Sequence, residues 1–235
     1  MIAGLQKMTL LDYPGKVACT VFLQGCNFRC PFCHNSDLLP GTGSAYMSEE
    51  ELMTFLKKRV GLLDAVCISG GEPALCSGLE SLLRQIKALG YLVKLDTNGS
   101  RPAALKSLVA KKLVDYVAID VKNCPARYGR TVGVEGVNLA PMEESLQFLL
   151  SEAVDYELRT TVVEEFHDEQ AVREMGQWLC SFVPGVKPKR LFLQSFQDRE
   201  SVLLSGLHAP TEEELASFRQ ILAGFAEVVR IRGET

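Results

Sequence analysis

The sequence predicts a parallel α/β sheet with crossover helices, and three observations carry that prediction. Apolar, β-branched runs alternate with segments of helical period from one end of the 235 residues to the other. The unusual polar groups gather at the ends of those runs, where parallel α/β folds place their sites. No Gly-, Ser- or Pro-rich linker, low-complexity tract or internal repeat divides the chain, so a single domain over residues 1–235 is expected.

Strands are predicted at 17–23, 65–69, 92–96, 116–119, 156–163 and 190–194, each short, apolar and rich in Val, Ile and Leu. Helices are predicted between and after them. The helix at 48–59 opens on Ser48 and Glu51, an S-x-x-E capping box, and lines Leu52, Phe55 and Leu56 along one face. Further helical patterns cover 78–88, 102–111, 141–151, 169–182 and 211–225. Six strand-then-helix units give either an open doubly wound sheet or an incomplete (β/α)6 TIM-type barrel; a full eight-unit barrel typically needs about 250 residues.

Composition narrows the function classes. The 47% hydrophobic content supplies a real core, and a formal net charge of −4 offers no basic excess for nucleic acid and no polybasic run for a lipid surface. No signal-type leader and no long apolar window is present, so a cytoplasmic chain is expected, with no nucleic-acid or membrane partner. Eight cysteines in that setting read as reduced thiols, some of them metal ligands.

Three of those thiols lie in GCNFRCPFCHNSD, at Cys26, Cys30 and Cys33. The i, i+4, i+7 spacing would make a buried stripe on a helix, but Pro31 breaks such a helix and Gly25, Asn27 and Asn35 punctuate its flanks. A loop holding three thiols is a metal loop. Zinc would need a fourth ligand from His34 or another cysteine, and structural zinc favours paired C-x-x-C arms. An iron–sulfur cube with one iron left open accommodates three thiolates directly.

Other strand ends carry Ser69-Gly70-Gly71-Glu72-Pro73, Asp96-Thr97-Asn98-Gly99, Asp120-Val121-Lys122 and Arg159-Thr160-Thr161. With C-x-x-x-C-x-x-C and the aromatic Phe32 before its last cysteine, these resemble the radical S-adenosylmethionine (SAM) enzymes. The flank LLDYPGKVACTVFLQGCNFRCPFCHN is similar to the glycyl-radical-enzyme activating proteins of that family, at Asp12, Pro14, Gly15, Phe22, Gln24, Gly25, His34 and Asn35. The likeness runs over roughly residues 8–197 and is nearest to the activating proteins of anaerobic ribonucleoside-triphosphate reductase. Activators of pyruvate formate-lyase-like enzymes, and radical SAM enzymes acting on small molecules, remain the alternatives, as does a non-enzymatic zinc protein.

The resemblance implies a radical SAM fold, with a [4Fe–4S] cluster on Cys26, Cys30 and Cys33 and SAM cleaved to a 5′-deoxyadenosyl radical. It assigns SAM contacts to Phe32, Gly70, Gly71, Glu72, Asp96, Thr97, Asn98, Lys122, Arg159 and Gln194, with Gln197 standing where a related group tends to have histidine. It implies a monovalent cation at Asp96, Thr97 and Asp120. The implied partners are a glycyl radical enzyme and a flavodoxin- or ferredoxin-type electron donor, and the loop around Asp12–Gly15 is the expected docking surface. Cys19 and Cys67 are expected in the core; with Cys76, Cys124 and Cys180 they show no ligand spacing, so no auxiliary cluster is expected. His167 and His208 are expected to be surface or structural, and Trp178 to lie on a helix face.

Overall fold

The computed structural model describes residues 1–39 and 46–233. All six predicted strands form: β2 (Ala18–Leu23), β3 (Ala65–Gly70), β4 (Leu92–Thr97), β5 (Tyr116–Asp120), β6 (Asp155–Val162) and β7 (Arg190–Ser195). Two more flank them, β1 (Ile2–Thr9) and β8 (Val228–Ile231). The predicted helices appear as α1 (Glu49–Lys57), α2 (Leu79–Ala88), α3 (Pro102–Ala110), α5 (Ala140–Leu150), α6 (Glu169–Ser181) and α7 (Glu212–Leu222), with an unpredicted α4 (Pro125–Val132) before α5.

Strand order in the sheet is the order of the sequence, β1 to β8. A doubly wound sheet reverses its order at a switch point, whereas sequential order is that of the barrel class, so the first of the two expected topologies is set aside. β1 pairs antiparallel with β2, and the β2–β3, β3–β4, β6–β7 and β7–β8 ladders are parallel.

The chain divides into two compact units. One comprises Met1–Asn27, Asp37–Thr97 and Arg101–Ala118, the other Phe28–Ser36, Asn98–Ser100 and Ile119–Thr235. In the first, Val66, Cys67 and Ile68 of β3 are fully buried, and α2 buries its Leu79, Leu82, Leu83 and Ile86 stripe. The capping box of α1 forms as predicted: Ser48 Oγ accepts from the Glu51 amide at 3.1 Å, and Glu51 Oε2 accepts from the Ser48 amide at 2.7 Å. In the second unit α7 repeats the device with Thr211 and Glu214, while Asp168 caps α6 through the Ala171 amide at 2.8 Å. Trp178 lies on the buried face of α6, edge-on to Tyr128. Among the described residues no helix is long and apolar enough to cross a membrane.

The topology of the first unit bears on one expectation, the docking role of the Asp12–Gly15 loop. The Asp12–Gly15 loop joins β1 to the start of β2, whereas Cys26 follows the end of β2. A six-residue strand separates the two by roughly 20 Å, so the loop does not border Cys26. It plugs the sheet instead. Tyr13 is buried with Ala18, Ala65, Cys67 and Tyr116, and Asp12 accepts the Thr20 hydroxyl at 2.5 Å.

Candidate active site

Gly70 closes β3, Thr97 closes β4 and Asp120 closes β5, whereas Arg159 lies within β6, three residues before its end. In the first unit the loop after β2 and the turn after β3 are bonded backbone to backbone. The Gly71 amide donates to the Leu23 carbonyl at 2.9 Å and the Glu72 amide to the Gly25 carbonyl at 2.7 Å. A Cβ on Gly71 would lie 2.1 Å from the Gly25 oxygen, and one on Gly70, whose φ is +114°, would lie 2.3 Å from the Leu23 oxygen. Both glycines are therefore demanded by the chain leading into Cys26.

Glu72 is buried, and its Oε1 accepts from the Ala74 amide at 3.0 Å and from the Thr97 hydroxyl at 2.7 Å. Beside it on β4, Asp96 Oδ1 lies 2.6 Å from the ammonium of Lys94, which is fully buried. Lys94 is a member of the site region that the sequence left unremarked. Its signal was a lysine inside an otherwise apolar strand, two residues before an aspartate and hence on the same face.

In the second unit Cys30 is buried and Cys33 half-buried, and the Cys33 amide turns back to the Cys30 carbonyl at 3.0 Å. Phe32 packs on Phe166 with ring centroids 5.7 Å apart. The loop is laced to the segment that follows β7. His34 Nε2 donates to the Gln197 carbonyl at 2.7 Å, and its ring stacks on Phe196. Burial holds the His34 imidazole below its usual pKa, against the pull of that carbonyl. The Ser201 hydroxyl donates to the His34 carbonyl at 2.8 Å, the Ser36 hydroxyl to the Ser201 carbonyl, and the Leu204 amide to Pro31 at 3.0 Å. On another side the Arg29 amide donates to the Val132 carbonyl at 2.8 Å, and a Cβ on Gly133 would lie 2.2 Å from the Arg29 oxygen. Gln197 thus acts through its backbone; its side chain accepts from Arg199.

Lys122 and Arg159 converge on one carboxylate. Asp120 Oδ2 lies 3.0 Å from Lys122 Nζ, and its Oδ1 lies 2.8 Å from Arg159 Nε. Burial works against ionising Asp120, but the Arg159 guanidinium and the Lys122 ammonium outweigh it and hold the carboxyl well below the usual range. His167 braces this group from behind: buried, it donates from Nε2 to the Lys122 carbonyl at 2.9 Å, while Nδ1 accepts from the Val163 amide at 3.1 Å. The expectation of a structural role is met, and the residue it supports is a proposed SAM ligand. Asn98 Oδ1 closes a turn by accepting from the Ser100 amide at 2.9 Å, and Gln194 lies half-buried near the end of β7 opposite Thr161. His208 is exposed and paired with Glu165 at 2.6 Å.

All eight cysteines are free thiols. Burial pushes Cys19 up to about 12 and raises Cys67, Cys124 and Cys180 as well, with Cys19 and Cys67 in the core as expected. The donor set of the metal loop is thus three free thiols on an irregular segment, which suits iron–sulfur ligation.

Comparisons with known proteins give the family. The family model for the radical SAM superfamily matches residues 20–173. A candidate glycyl-radical enzyme activating enzyme of Methanocaldococcus jannaschii is 31% identical, over 99% of this chain and 95% of its own length. A 7-carboxy-7-deazaguanine synthase of Koribacter versatilis is 31% identical over 62% of each chain. Among solved structures, a domain of pyruvate-formate lyase-activating enzyme from Bacteroides vulgatus shares the fold with a TM-score of 0.58, at 19% identity, covering 72% of this chain and 99% of that one. The chain belongs to the radical SAM superfamily. It is a radical SAM enzyme, of a family that works with a [4Fe–4S] cluster and SAM.

Proposed function

We propose that this enzyme activates a glycyl radical enzyme, and that its partner is an anaerobic ribonucleoside-triphosphate reductase. The observation that carries the first part is similarity to an activating enzyme along the whole chain, C-x-x-x-C-x-x-C loop included. The second part rests on the LLDYPGK opening and on RTTVV followed by a strand ending in LQSF.

In this reading Cys26, Cys30 and Cys33 hold the cluster, with one iron left for SAM. Bound there, cluster and SAM supply a 5′-deoxyadenosyl radical that takes a hydrogen atom from a glycine Cα of the partner. The chain's own residues bind and orient. Lys122 and Arg159 present two positive charges for the SAM carboxylate, both held by Asp120. Glu72 and the Gly70–Gly71 backbone receive the SAM ammonium, and the family resemblance assigns further SAM contacts to Phe32, Asp96, Thr97, Asn98 and Gln194. A flavodoxin- or ferredoxin-type protein delivers the electron.

Electron paramagnetic resonance tests both parts. The reduced protein with SAM is mixed with candidate glycyl radical enzymes, and a glycyl doublet is expected with the nucleotide reductase. A doublet only with a formate-lyase-like enzyme moves the partner; a doublet with none rejects activation. The second reading, turnover of a small molecule, is favoured by the partial similarity to the deazaguanine synthase. It would show as SAM cleavage coupled to a metabolite with no protein partner present.

A further inference from the structure

The family resemblance implies a monovalent cation at Asp96, Thr97 and Asp120, and the surroundings of these residues do not fit one. Asp96 already holds a cation of the chain's own, the Lys94 ammonium at 2.6 Å from Oδ1. Thr97 is engaged with Glu72 at 2.7 Å. Asp120 is engaged by Lys122 and Arg159.

Lys94 is poorly explained as a packing residue. It stands in the ladder beside Cys67, which in turn pairs with Thr20, so the three side chains form one row across β2, β3 and β4. Its neighbours in that row are uncharged: burial keeps the Cys67 thiol protonated, and the Thr20 hydroxyl is committed to Asp12. A fully buried ammonium is costly unless an anion meets it. Asp96, one step further along the same face of β4, is one such anion, at 2.6 Å.

We propose that Lys94 replaces the monovalent cation: its ammonium is a tethered monocation that neutralises Asp96 and makes the SAM site independent of Na⁺ and K⁺. The proposal rests on the radical SAM reading of the site but not on the identity of the partner enzyme. One positive charge, compact and able to engage several oxygens, is what an alkali ion would bring, and Lys94 brings it without any binding equilibrium.

The test compares wild-type protein with Lys94→Met and with Lys94→Met/Asp96→Asn, at equal ionic strength in choline, sodium or potassium chloride. Melting of the apoprotein is one readout, and SAM binding to the reconstituted protein is the other. Wild type is expected to melt and bind alike in all three salts. Lys94→Met is expected to melt several degrees lower in choline and to recover in potassium or sodium, while the double variant responds to neither. A threefold or larger gain in wild-type SAM affinity on adding potassium would overturn the proposal. So would a Lys94→Met protein that folds and ignores all three cations. Should Lys94→Met fail to fold in any salt, the wild-type salt comparison decides alone. Absence of SAM binding by wild type in every salt would count against the radical SAM reading, whereas the apoprotein melting data bear on Lys94 alone.

Discussion

Gly71 is the residue at which one added methyl group is felt most directly. Its missing Cβ leaves room for the Gly25 carbonyl, and the next residue after that carbonyl is Cys26. Gly71→Ala must shift backbone rather than a side chain. The expected cost is about 2 kcal/mol, a fall in melting temperature of roughly 4–8 °C for a chain of this size. Iron bound per chain after reconstitution should fall with it, and unchanged iron content would refute the coupling. The sequence pointed to this glycine, but for its approach to a ligand. The contact with Gly25 joins two strand ends far apart in sequence, so no local pattern could reveal it. His167 was similarly half legible. Burial holds its imidazole below the usual 6.5, so it is neutral in the fold while an unfolded chain takes up a proton near that value. The folded state therefore loses stability as pH drops below about 6.5. His34 contributes in the same direction, and His208, raised by Glu165, in the opposite one. Melting curves between pH 5.5 and 7.5 should show a smaller acid-induced drop for His167→Gln than for wild type. An identical drop would mean that His167 does not carry the effect.

At the level of elements, the segment after β7 is a strap over residues 31–36, tied at Pro31, His34 and Ser36. Removing the hydroxyl in Ser201→Ala costs about 1 kcal/mol of local anchoring, which corresponds to roughly fivefold faster exchange of amides opened locally. Hydrogen exchange of the apoprotein should show this increase at 31–36 and not in β2. Equal acceleration throughout would mark general destabilisation instead. The strands and helices themselves were largely readable, because buried parallel strands are continuous apolar runs and capped amphipathic helices announce both face and start. The missed elements lack those signals. β1 carries Gly4, Gln6 and Lys7 on a strand buried only at its two ends, β8 is four residues long, and α4 reads PARYGRTV, with a glycine and two arginines in eight positions. The strap was invisible for a different reason: most of its bonds run from or to the backbone, which every residue possesses.

On the scale of the whole molecule, strand order follows the sequence, and in each unit the connection from a strand to the next helix leaves the carboxyl end of that strand. The β1–β2 loop is sent the other way. It still exposes apolar surface, with Leu10 at 67% and Leu11 at 84% exposure. Under the proposed function that surface is not where the glycine enters. The Leu10→Ser/Leu11→Ser variant, which spares the buried Tyr13, should give a glycyl radical yield within twofold of wild type. A tenfold loss with unchanged melting would restore the loop as a docking element. Hydrophobic and turn patterns locate residues along the chain, but which end of a strand a loop serves depends on whether its neighbour runs parallel or antiparallel.

The buried thiols set a condition on how the protein comes to hold iron. Five cysteines lie outside the metal loop. Four of them, Cys19, Cys67, Cys124 and Cys180, are kept protonated by their surroundings. A protonated thiol is neither a nucleophile nor an iron ligand. Cys19 and Cys67, with no exposed surface at all, are thereby shielded from iron once the chain has folded. The order of events matters: iron offered to the unfolded chain would find all eight sulfurs alike.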